Sequence, residues 1–232
     1  MDDLVTKIAV IESRLCAVTS IAERDRKDVL LLAVSKTRNA ESIRQVAETG
    51  IKSFGENYLQ EALAKIAGLQ SLDLDWHFIG PIQSNKTRQI SENFAWAHSV
   101  DRVKIAQRLN DQRPSHMAPL NICMQINIDK EATKSGFSAE QALPAALEIM
   151  ALPNLNLRGL MAIPAARENI EAQRLPFAQL RLLLEDINRS LDNSEKLDTL
   201  SMGMSADLEA AILEQATIVR VGTDIFGPRS TK

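Results

Sequence analysis

Short apolar runs alternate with amphipathic segments along almost the whole chain. Each run is apolar at consecutive positions and is bounded by polar residues, glycine or proline. This pattern is typical of a strand buried on both faces. The predicted strands are 29–34, 52–54, 76–79, 95–100, 120–128, 155–163, 199–202 and 217–222.

The segments between these runs carry apolar residues at helical spacing. Ser84, Asp101 and Ser205 are good N-cap residues and predict where three helices begin, and a fourth helix is predicted to start with Ser138-Ala139-Glu140-Gln141. Gly50 predicts where one helix ends. The predicted helices are 4–23, 40–49, 57–68, 84–91, 101–111, 138–151, 170–190 and 205–214, with a short helix at 224–227.

Strands that alternate with helices predict βαβ units and a parallel sheet. Eight such units in 232 residues fit a (β/α)8 TIM barrel with an extra N-terminal helix. The alternative is an open, doubly wound sheet built from the same units. No linker or repeat interrupts the pattern, so we expect a single domain over residues 1–232.

Composition narrows the possible partners. The chain has 27 basic and 30 acidic residues and a net charge of −3, which gives no electrostatic reason to expect nucleic acid or a membrane surface as a partner. The N-terminus lacks the basic and apolar regions typical of a signal peptide, so we expect none, and no apolar segment is long enough to cross a membrane. Cys16 and Cys123 are isolated. We therefore expect a cytoplasmic protein. The three histidines lack metal-ligand spacing, so we expect no metal site.

Polar residues collect where the predicted strands end. Lys36 follows the first strand, Asn57 the second, and Ser201 lies at the seventh. In a barrel these carboxyl ends share one rim, which is where active sites lie. A lysine that leaves a buried strand is partly desolvated, which favours its neutral, nucleophilic amine. The ordinary alternative is a lysine that extends to solvent.

Strand eight adds a second candidate. Side chains alternate along a strand, so Ile218, Arg220 and Gly222 share one face. Arg220 either points outward to a helix carboxylate or donates to a ligand inside the barrel mouth. Gly222 and Thr223 follow at the position where barrels commonly bind phosphate. Asp224 is close enough to compete with such a phosphate.

A nucleophilic lysine across the rim from a phosphate site suggests a phosphorylated aldehyde. Pyridoxal phosphate (PLP) is the obvious candidate, because it forms a Schiff base with lysine and its ring nitrogen is contacted by a protein group. Arg220 is the candidate for that contact. An arginine donor would leave the ring nitrogen unprotonated, which makes the ring a weaker electron sink.

Several segments resemble the pyridoxal phosphate homeostasis protein family. They run in order through nearly the whole chain. The segments are Ala33-Val34-Ser35-Lys36-Thr37, Phe54-Gly55-Glu56-Asn57-Tyr58, Trp76-His77-Phe78-Ile79-Gly80-Pro81-Ile82-Gln83-Ser84-Asn85-Lys86, Gly159-Leu160-Met161, Leu200-Ser201-Met202-Gly203-Met204-Ser205 and Arg220-Val221-Gly222-Thr223. The resemblance implies a single barrel like the N-terminal domain of alanine racemase.

The resemblance also implies roles for individual residues. Lys36 would carry PLP as a Schiff base, and Arg220 would face the pyridine nitrogen. Ser201, Gly222 and Thr223 would hold the phosphate. The full predicted cofactor-binding set is Lys36, Asn57, Met161, Ser201, Arg220, Gly222 and Thr223.

Asn57 is expected beside the cofactor ring. Racemases of this barrel type use a lysine and a tyrosine, and the tyrosine comes from an additional β-domain of a partner subunit. The chain ends at Lys232, soon after the last strand, so we expect neither that domain nor its dimer interface. Tyr58 is expected to pack or to form a rim hydrogen bond, and His77 to be a satisfied core histidine. We therefore expect a monomer that is not an enzyme.

Three functions remain open from the sequence. The first is a protein that holds PLP for vitamin B6 homeostasis and delivers it to PLP-dependent apo-enzymes, with secondary effects on amino-acid and keto-acid metabolism, as the resemblance implies. The second is a slow PLP-dependent amino-acid racemase. The third is a cofactor-free barrel enzyme that acts on a phosphorylated sugar. Lys86 and Lys134, in loops near the rim, are candidate secondary sites for the aldehyde or a phosphate.

Overall fold

The computed structural model describes residues 2–131 and 133–228. Eight parallel strands close into a barrel in the order β1 to β8, with β8 paired to β1. The predicted (β/α)8 barrel is confirmed, and the open sheet is excluded because β1 and β8 pair at Leu30–Ile218 through Ala33–Val221. The strands are Leu30–Val34, Ser53–Glu56, Asp75–Phe78, Trp96–Val100, Leu120–Gln125, Leu155–Met161, Thr199–Met204 and Ile218–Val221.

Helices surround the barrel, and α2 to α9 each follow one strand, whereas α1 precedes the first. Helix α1 packs against α8 and α9, next to the point where the barrel closes. Among the described helices, none has both the length and the apolar content required to cross a membrane. The helices α1 to α9 are Asp2–Ile21, Ala40–Ala47, Leu59–Gly68, Thr87–Asn93, Val103–Gln112, Ala139–Met150, Ile170–Arg189, Leu208–Leu213 and Thr223–Phe226.

The helix predicted to start at Ser138 is confirmed. The Ser138 side chain accepts from the Gln141 amide, and Gln141 reaches back to close a capping box. The three predicted N-caps were wrong. Helices α4, α5 and α8 begin two or three residues later than Ser84, Asp101 and Ser205, without a side-chain cap. These three residues lie in the loops that form the rim of the barrel.

Two separate layers of side chains bury the sheet. Outward residues such as Phe54, Val219 and Val221 pack with the helices in one continuous apolar core. Inward residues such as Leu32 and Arg220 fill the barrel, where a Cβ on Gly55 would meet Leu32 and Ile79 at 3.1–3.2 Å. The alternation fixes which residues of each strand reach the barrel mouth.

Candidate functional site

A cavity of about 280 Å³ opens at the carboxyl ends of the strands. Its wall combines residues at or just beyond the ends of the first, second, third, sixth, seventh and eighth strands, which are contiguous around the barrel because β8 pairs with β1. The lining residues are Val34, Lys36, Asn57, Ile79, Ile163, Met204, Ser205, Ala206, Arg220, Gly222 and Thr223. Five of the seven predicted cofactor-binding residues therefore meet in one cavity: Lys36, Asn57, Arg220, Gly222 and Thr223.

Lys36 is half-buried and lies in a tight turn directly after β1. The Ser35 carbonyl accepts a hydrogen bond from the Arg38 amide at 3.0 Å and closes the turn. Thr37, the third residue of the turn, has a φ of 65°. Glycine or asparagine usually occupies such a position, and a β-branched residue there is strained. The alternation along β1 turns Lys36 toward the cavity, on the side of Val34.

A buried ionic group lies on the other side of the same turn. Glu56 is fully buried, and its Oε1 accepts from Ser35 Oγ at 2.6 Å and from Lys65 Nζ at 2.7 Å. Lys65 Nζ also donates to the Ser35 carbonyl at 2.8 Å and to Glu61. Burial raises the pKa of Glu56 despite these partners. We call Ser35, Glu56, Glu61 and Lys65 the Glu56 cluster.

The Glu56 cluster was not predicted from the sequence, although the sequence contains one signal for it. Lys65 follows Leu59 and Ala62 on the face of α3 that packs against the barrel, and it is only 5% exposed. A lysine on a buried helix face requires a buried acceptor. Glu56, at the end of an otherwise apolar strand, is the acceptor that the structure provides.

Arg220 points into the barrel, which decides between the two orientations left open by the sequence. It is 5% exposed, and its guanidinium donates to Ser201 O at 2.6 Å, Ser201 Oγ at 2.8 Å and Ala162 O at 3.0 Å. Desolvation lowers the pKa of Arg220 to about 10, so it keeps its charge at neutral pH. The remaining surface of the side chain lines the cavity.

Two histidines extend this contact through the barrel interior. His98 Nδ1 lies 2.8 Å from Ser201 Oγ, and His98 Nε2 lies 2.9 Å from His77 Nδ1. We call Arg220, Ser201, His98 and His77 the Arg220 chain. Burial lowers the pKa of His77 to about 3, and burial with the nearby His77 and Arg220 holds the pKa of His98 well below its usual value. Both imidazoles are therefore neutral at neutral pH.

The charge of Arg220 sets the direction of these hydrogen bonds. Arginine only donates, so Ser201 Oγ accepts from it and can give its own proton to His98 Nδ1. His98 then carries its proton on Nε2 and donates to His77 Nδ1. In this arrangement each hydrogen bond has one donor and one acceptor, and His77 is a buried core histidine whose Nδ1 accepts from His98.

Two predicted cofactor residues do not line the cavity. Ser201 is fully buried, and its hydroxyl contacts Arg220 and His98. The phosphate role that the resemblance implied for Ser201 stays a prediction. Ser205 is the serine of this segment that lines the cavity. Met161 is 1% exposed and pairs with β5 and β7 within the barrel wall. Sequence spacing could not separate these layers, because it does not give the depth of a residue in the barrel.

Gly222 and Thr223 lie where β8 passes into α9. A Cβ on Gly222 would lie 3.2 Å from the Val34 carbonyl oxygen, so a side chain would crowd the cavity wall. The amides of a first helical turn have no acceptor within the helix and can bind an anion. The Asp224 carboxylate accepts from Arg14 Nη1 at 3.0 Å, so a guanidinium offsets its charge at this end of α9.

An unused acceptor marks the cavity wall as a ligand-binding surface. Asn57 Oδ1 is buried and has no hydrogen-bond partner in the part of the chain that the structure describes. Buried polar atoms are rarely left unpaired in folded proteins. Asn57 also lines a second cavity of about 340 Å³, which shares Ile79 and Ile163 with the first. The two cavities thus adjoin within the barrel mouth.

The candidate secondary lysines differ in position. Lys134 lines the second cavity, and its Nζ contacts Glu131 at 2.6 Å and the Ile163 carbonyl at 3.4 Å. Lys86 is half-buried just before α4 and lines neither cavity.

Tyr58 is 53% exposed at the start of α3. Neither Tyr58 nor the buried His77 lines the cavity that contains Lys36.

Comparisons with known proteins agree with this architecture. The family model for the N-terminal domain of alanine racemase matches residues 12–230. An alanine racemase of Clostridium difficile has a TM-score of 0.68 at 14% identity, and the match covers all of this chain and 58% of that one. At this identity the likeness shows the fold alone. The protein is thus a barrel of the alanine racemase N-terminal class.

Curated relatives define the family more narrowly. A pyridoxal phosphate homeostasis protein of Pseudomonas aeruginosa is 55% identical over 230 residues, which is 99% of this chain and 97% of that protein. The Escherichia coli protein of the same name is 43% identical over 99% of this chain and 98% of its own length. The chain therefore belongs to the pyridoxal phosphate homeostasis protein family, as the resemblance in the sequence implied.

A solved structure adds a relative with its ligand. PipY of Synechococcus elongatus with PLP bound has a TM-score of 0.81 at 36% identity. The match covers 94% of this chain and all of the PipY chain. That relative binds PLP on a barrel of this architecture.

Proposed function

We propose that this protein binds pyridoxal 5'-phosphate covalently through Lys36 and serves vitamin B6 homeostasis. The observation that carries the proposal is the meeting of Lys36, Arg220 and the Gly222–Thr223 turn in one cavity. The names of the curated relatives and the PLP bound to PipY support the same ligand. The third function left open by the sequence, a cofactor-free sugar phosphate enzyme, has no comparable support.

The lining residues match the chemical groups of the cofactor. PLP supplies an aldehyde carbon, a ring nitrogen and a phosphate. Lys36 provides the amine that attacks the aldehyde carbon. The Arg220 guanidinium would donate toward the ring nitrogen and would hold it without a proton, because arginine does not give up its charge at neutral pH.

The phosphate is assigned to the turn between β8 and α9. Gly222 and Thr223 offer main-chain donors, and Ser205 offers a hydroxyl from the end of β7. Arg14 supports this region from α1, because its guanidinium donates to the Ser205 carbonyl at 2.9 Å and to Asp224. Asn57 Oδ1 remains available beside the ring.

We propose that the protein holds PLP and delivers it to apo-enzymes instead of catalysing racemisation. A two-base racemase needs a second proton carrier opposite the lysine. Neither Tyr58 nor His77 lines the cavity, and the pKa of His77 is lowered to about 3, which makes it a weak base at neutral pH. The names of the relatives agree with a homeostatic role. We expect the protein to be cytoplasmic, which fits its two free cysteines, and to be a monomer.

An absorbance titration tests the proposal. Pyridoxal phosphate is added to the wild type, to Lys36→Ala and to Lys134→Ala. We expect the visible band of a lysine-bound cofactor in the wild type and in Lys134→Ala, and its loss in Lys36→Ala. If the wild type gives no band, the proposal is wrong. Transfer is tested by mixing the loaded protein with an apo-enzyme in the presence of a scavenger of free aldehyde, and recovery of enzyme activity is expected.

The racemase alternative has its own test. The loaded protein is incubated with L-alanine in deuterium oxide, and deuterium at the α-carbon is measured by NMR. We expect no incorporation above that caused by free PLP. Incorporation by the wild type that is lost in Lys36→Ala would overturn the non-enzymatic proposal.

A further inference from the structure

The turn that carries Lys36 is fixed from the side facing away from the cavity. Ser35 Oγ donates to Glu56, and the Ser35 carbonyl accepts from Lys65. On the other side of Lys36, the Thr37 amide donates to Glu61 Oε1 at 2.6 Å. Both residues that flank Lys36 are thus held by the same Glu56 cluster, through contacts from β2 and α3.

Thr37 has an unfavourable backbone conformation in the turn that the Glu56 cluster holds. Its φ of 65° lies in the left-handed region, which a β-branched residue adopts only at a cost. Such strain persists where the surrounding structure over-determines the conformation, and it concentrates at functional sites. The hydrogen bond from the Thr37 amide to Glu61 is one of the contacts that hold the strained conformation.

Stability alone gives a poor reason for the Glu56 cluster. A buried ion pair often contributes less to stability than an apolar pair of similar volume. Here Glu56 is fully buried, Lys65 is 5% exposed, and Glu56 Oε2 has no hydrogen-bond partner within the described residues. The cluster is costly in desolvation, yet each of its strong contacts ends on the Lys36 turn or on a group that contacts that turn.

We infer that Glu56 is a positioning residue for Lys36, and that Lys65 and Glu61 act with it. The cluster fixes the main chain on both sides of Lys36 and so directs its side chain into the cavity. This inference rests on the proposed function, because it concerns the reaction of Lys36 with an aldehyde. In that reaction the Lys36 nitrogen forms a double bond to the aldehyde carbon, and the carbonyl oxygen leaves as water with the two amine hydrogens.

Positioning affects the covalent step more than the binding that precedes it. A misplaced nucleophile can slow a reaction on the order of a hundredfold while the ligand still binds. The two steps can be measured separately. Stopped-flow absorbance with pyridoxal phosphate follows formation of the covalent bond, and calorimetry with 4-deoxypyridoxine phosphate, which lacks the aldehyde, follows binding alone.

Three variants form a matched set. Glu56→Leu removes the acceptor for Ser35 and leaves Lys65 paired with Glu61. Glu61→Leu changes a side chain that is 31% exposed and releases the Thr37 amide. Glu214→Leu is the control, because Glu214 is also a buried carboxylate but pairs with arginines of α7, away from the Lys36 turn.

We expect Glu56→Leu to slow bond formation on the order of tenfold to a hundredfold, with the affinity for the analogue unchanged. Glu61→Leu should slow it less, and Glu214→Leu should match the wild type. Equal rates in Glu56→Leu and the wild type would overturn the inference, as would equal losses in Glu56→Leu and Glu214→Leu. If Glu56→Leu does not fold, the rate of Glu61→Leu decides in the same way. Failure of the wild type to react would instead contradict the proposed function.

Discussion

The Glu56 cluster and the Arg220 chain both lie beneath the barrel mouth, but they hold charge differently. The Glu56 cluster joins two carboxylates and one ammonium between the barrel wall and α3. The Arg220 chain joins one guanidinium to a hydroxyl and two neutral imidazoles inside the barrel. One cluster ends on main-chain atoms next to Lys36, whereas the other ends on a side chain that lines the cavity.

This difference suggests two ways of preparing a site. The Lys65 ammonium offsets one of the two carboxylates in the Glu56 cluster, and the cluster acts on the Lys36 turn through hydrogen bonds to its main chain. Neutral partners do not cancel the charge of Arg220, and they leave it available to a ligand atom. The Glu56 cluster thus fixes the main chain around Lys36. The Arg220 chain orients the Arg220 side chain and leaves its charge uncompensated.

Among substitutions in the Glu56 cluster, removal of the Lys65 ammonium should reduce the stability of the protein most strongly. Lys65→Met leaves the buried Glu56 without its ammonium partner, and we expect a loss of about 3–5 kcal/mol in the free energy of unfolding. Urea denaturation measures this loss. Lys52→Met, which breaks an exposed pair with Asp73, is the control and should change the value by less than about 1 kcal/mol. A small effect of Lys65→Met would contradict the assigned burial of charge.

Substitutions of Ser201 and Ser205 distinguish a residue that supports Arg220 from a residue that contacts the ligand. Ser201→Ala removes a buried hydroxyl between Arg220 and His98, and it should cost about 1–3 kcal/mol of stability. Ser205→Ala should leave the stability unchanged and weaken binding of the phosphate. Thermal unfolding without ligand and calorimetry with 4-deoxypyridoxine phosphate measure the two effects. Weaker analogue binding in Ser201→Ala, with unchanged binding in Ser205→Ala, would assign the phosphate contact to Ser201, as the resemblance implied.

Acid should weaken the Arg220 chain. The pKa of His77 falls from 6.5 to about 3 in the folded protein, and that of His98 also falls. The unfolded chain therefore binds more protons below pH 6.5, so stability is full above that pH and declines as the pH drops toward 3. The slope is at most about 1.4 kcal/mol per pH unit for each histidine.

Glu56 opposes the effect of the histidines on stability, and a histidine double variant separates the two contributions. The raised pKa of Glu56 acts in the opposite direction, because the folded protein then binds the extra proton just above the usual carboxyl range. The double variant His77→Gln, His98→Gln should lose the decline between pH 6.5 and 5. An unchanged decline in this variant would show that other groups cause the acid sensitivity.

The strands were predicted well because a strand buried on both faces has a simple signal. All eight predicted runs overlap the observed strands, and Arg220 lies on the predicted face with Ile218. Three N-caps were predicted wrongly, because Ser84, Asp101 and Ser205 lie in rim loops and the helices begin two or three residues later. The Ser84 carbonyl accepts from Arg108, and the Ser205 carbonyl accepts from Arg14.

The site was predicted in part. Five cofactor residues could be placed at one rim because parallel strands end together, and they line one cavity. The Arg220 chain could not be predicted, because the contact of His98 with Ser201 depends on two strands that are not adjacent and on their depth in the barrel. The Glu56 cluster likewise depends on how α3 lies against β2.

Peptide mapping after borohydride reduction tests the central claim most directly. The protein is mixed with pyridoxal phosphate, reduced, digested and analysed by mass spectrometry. We predict that the reduced cofactor is attached to Lys36 at a stoichiometry near one, and that Lys36→Ala shows no comparable attachment at any single lysine. Attachment mainly at Lys86, Lys134 or another lysine of the wild type would contradict the account.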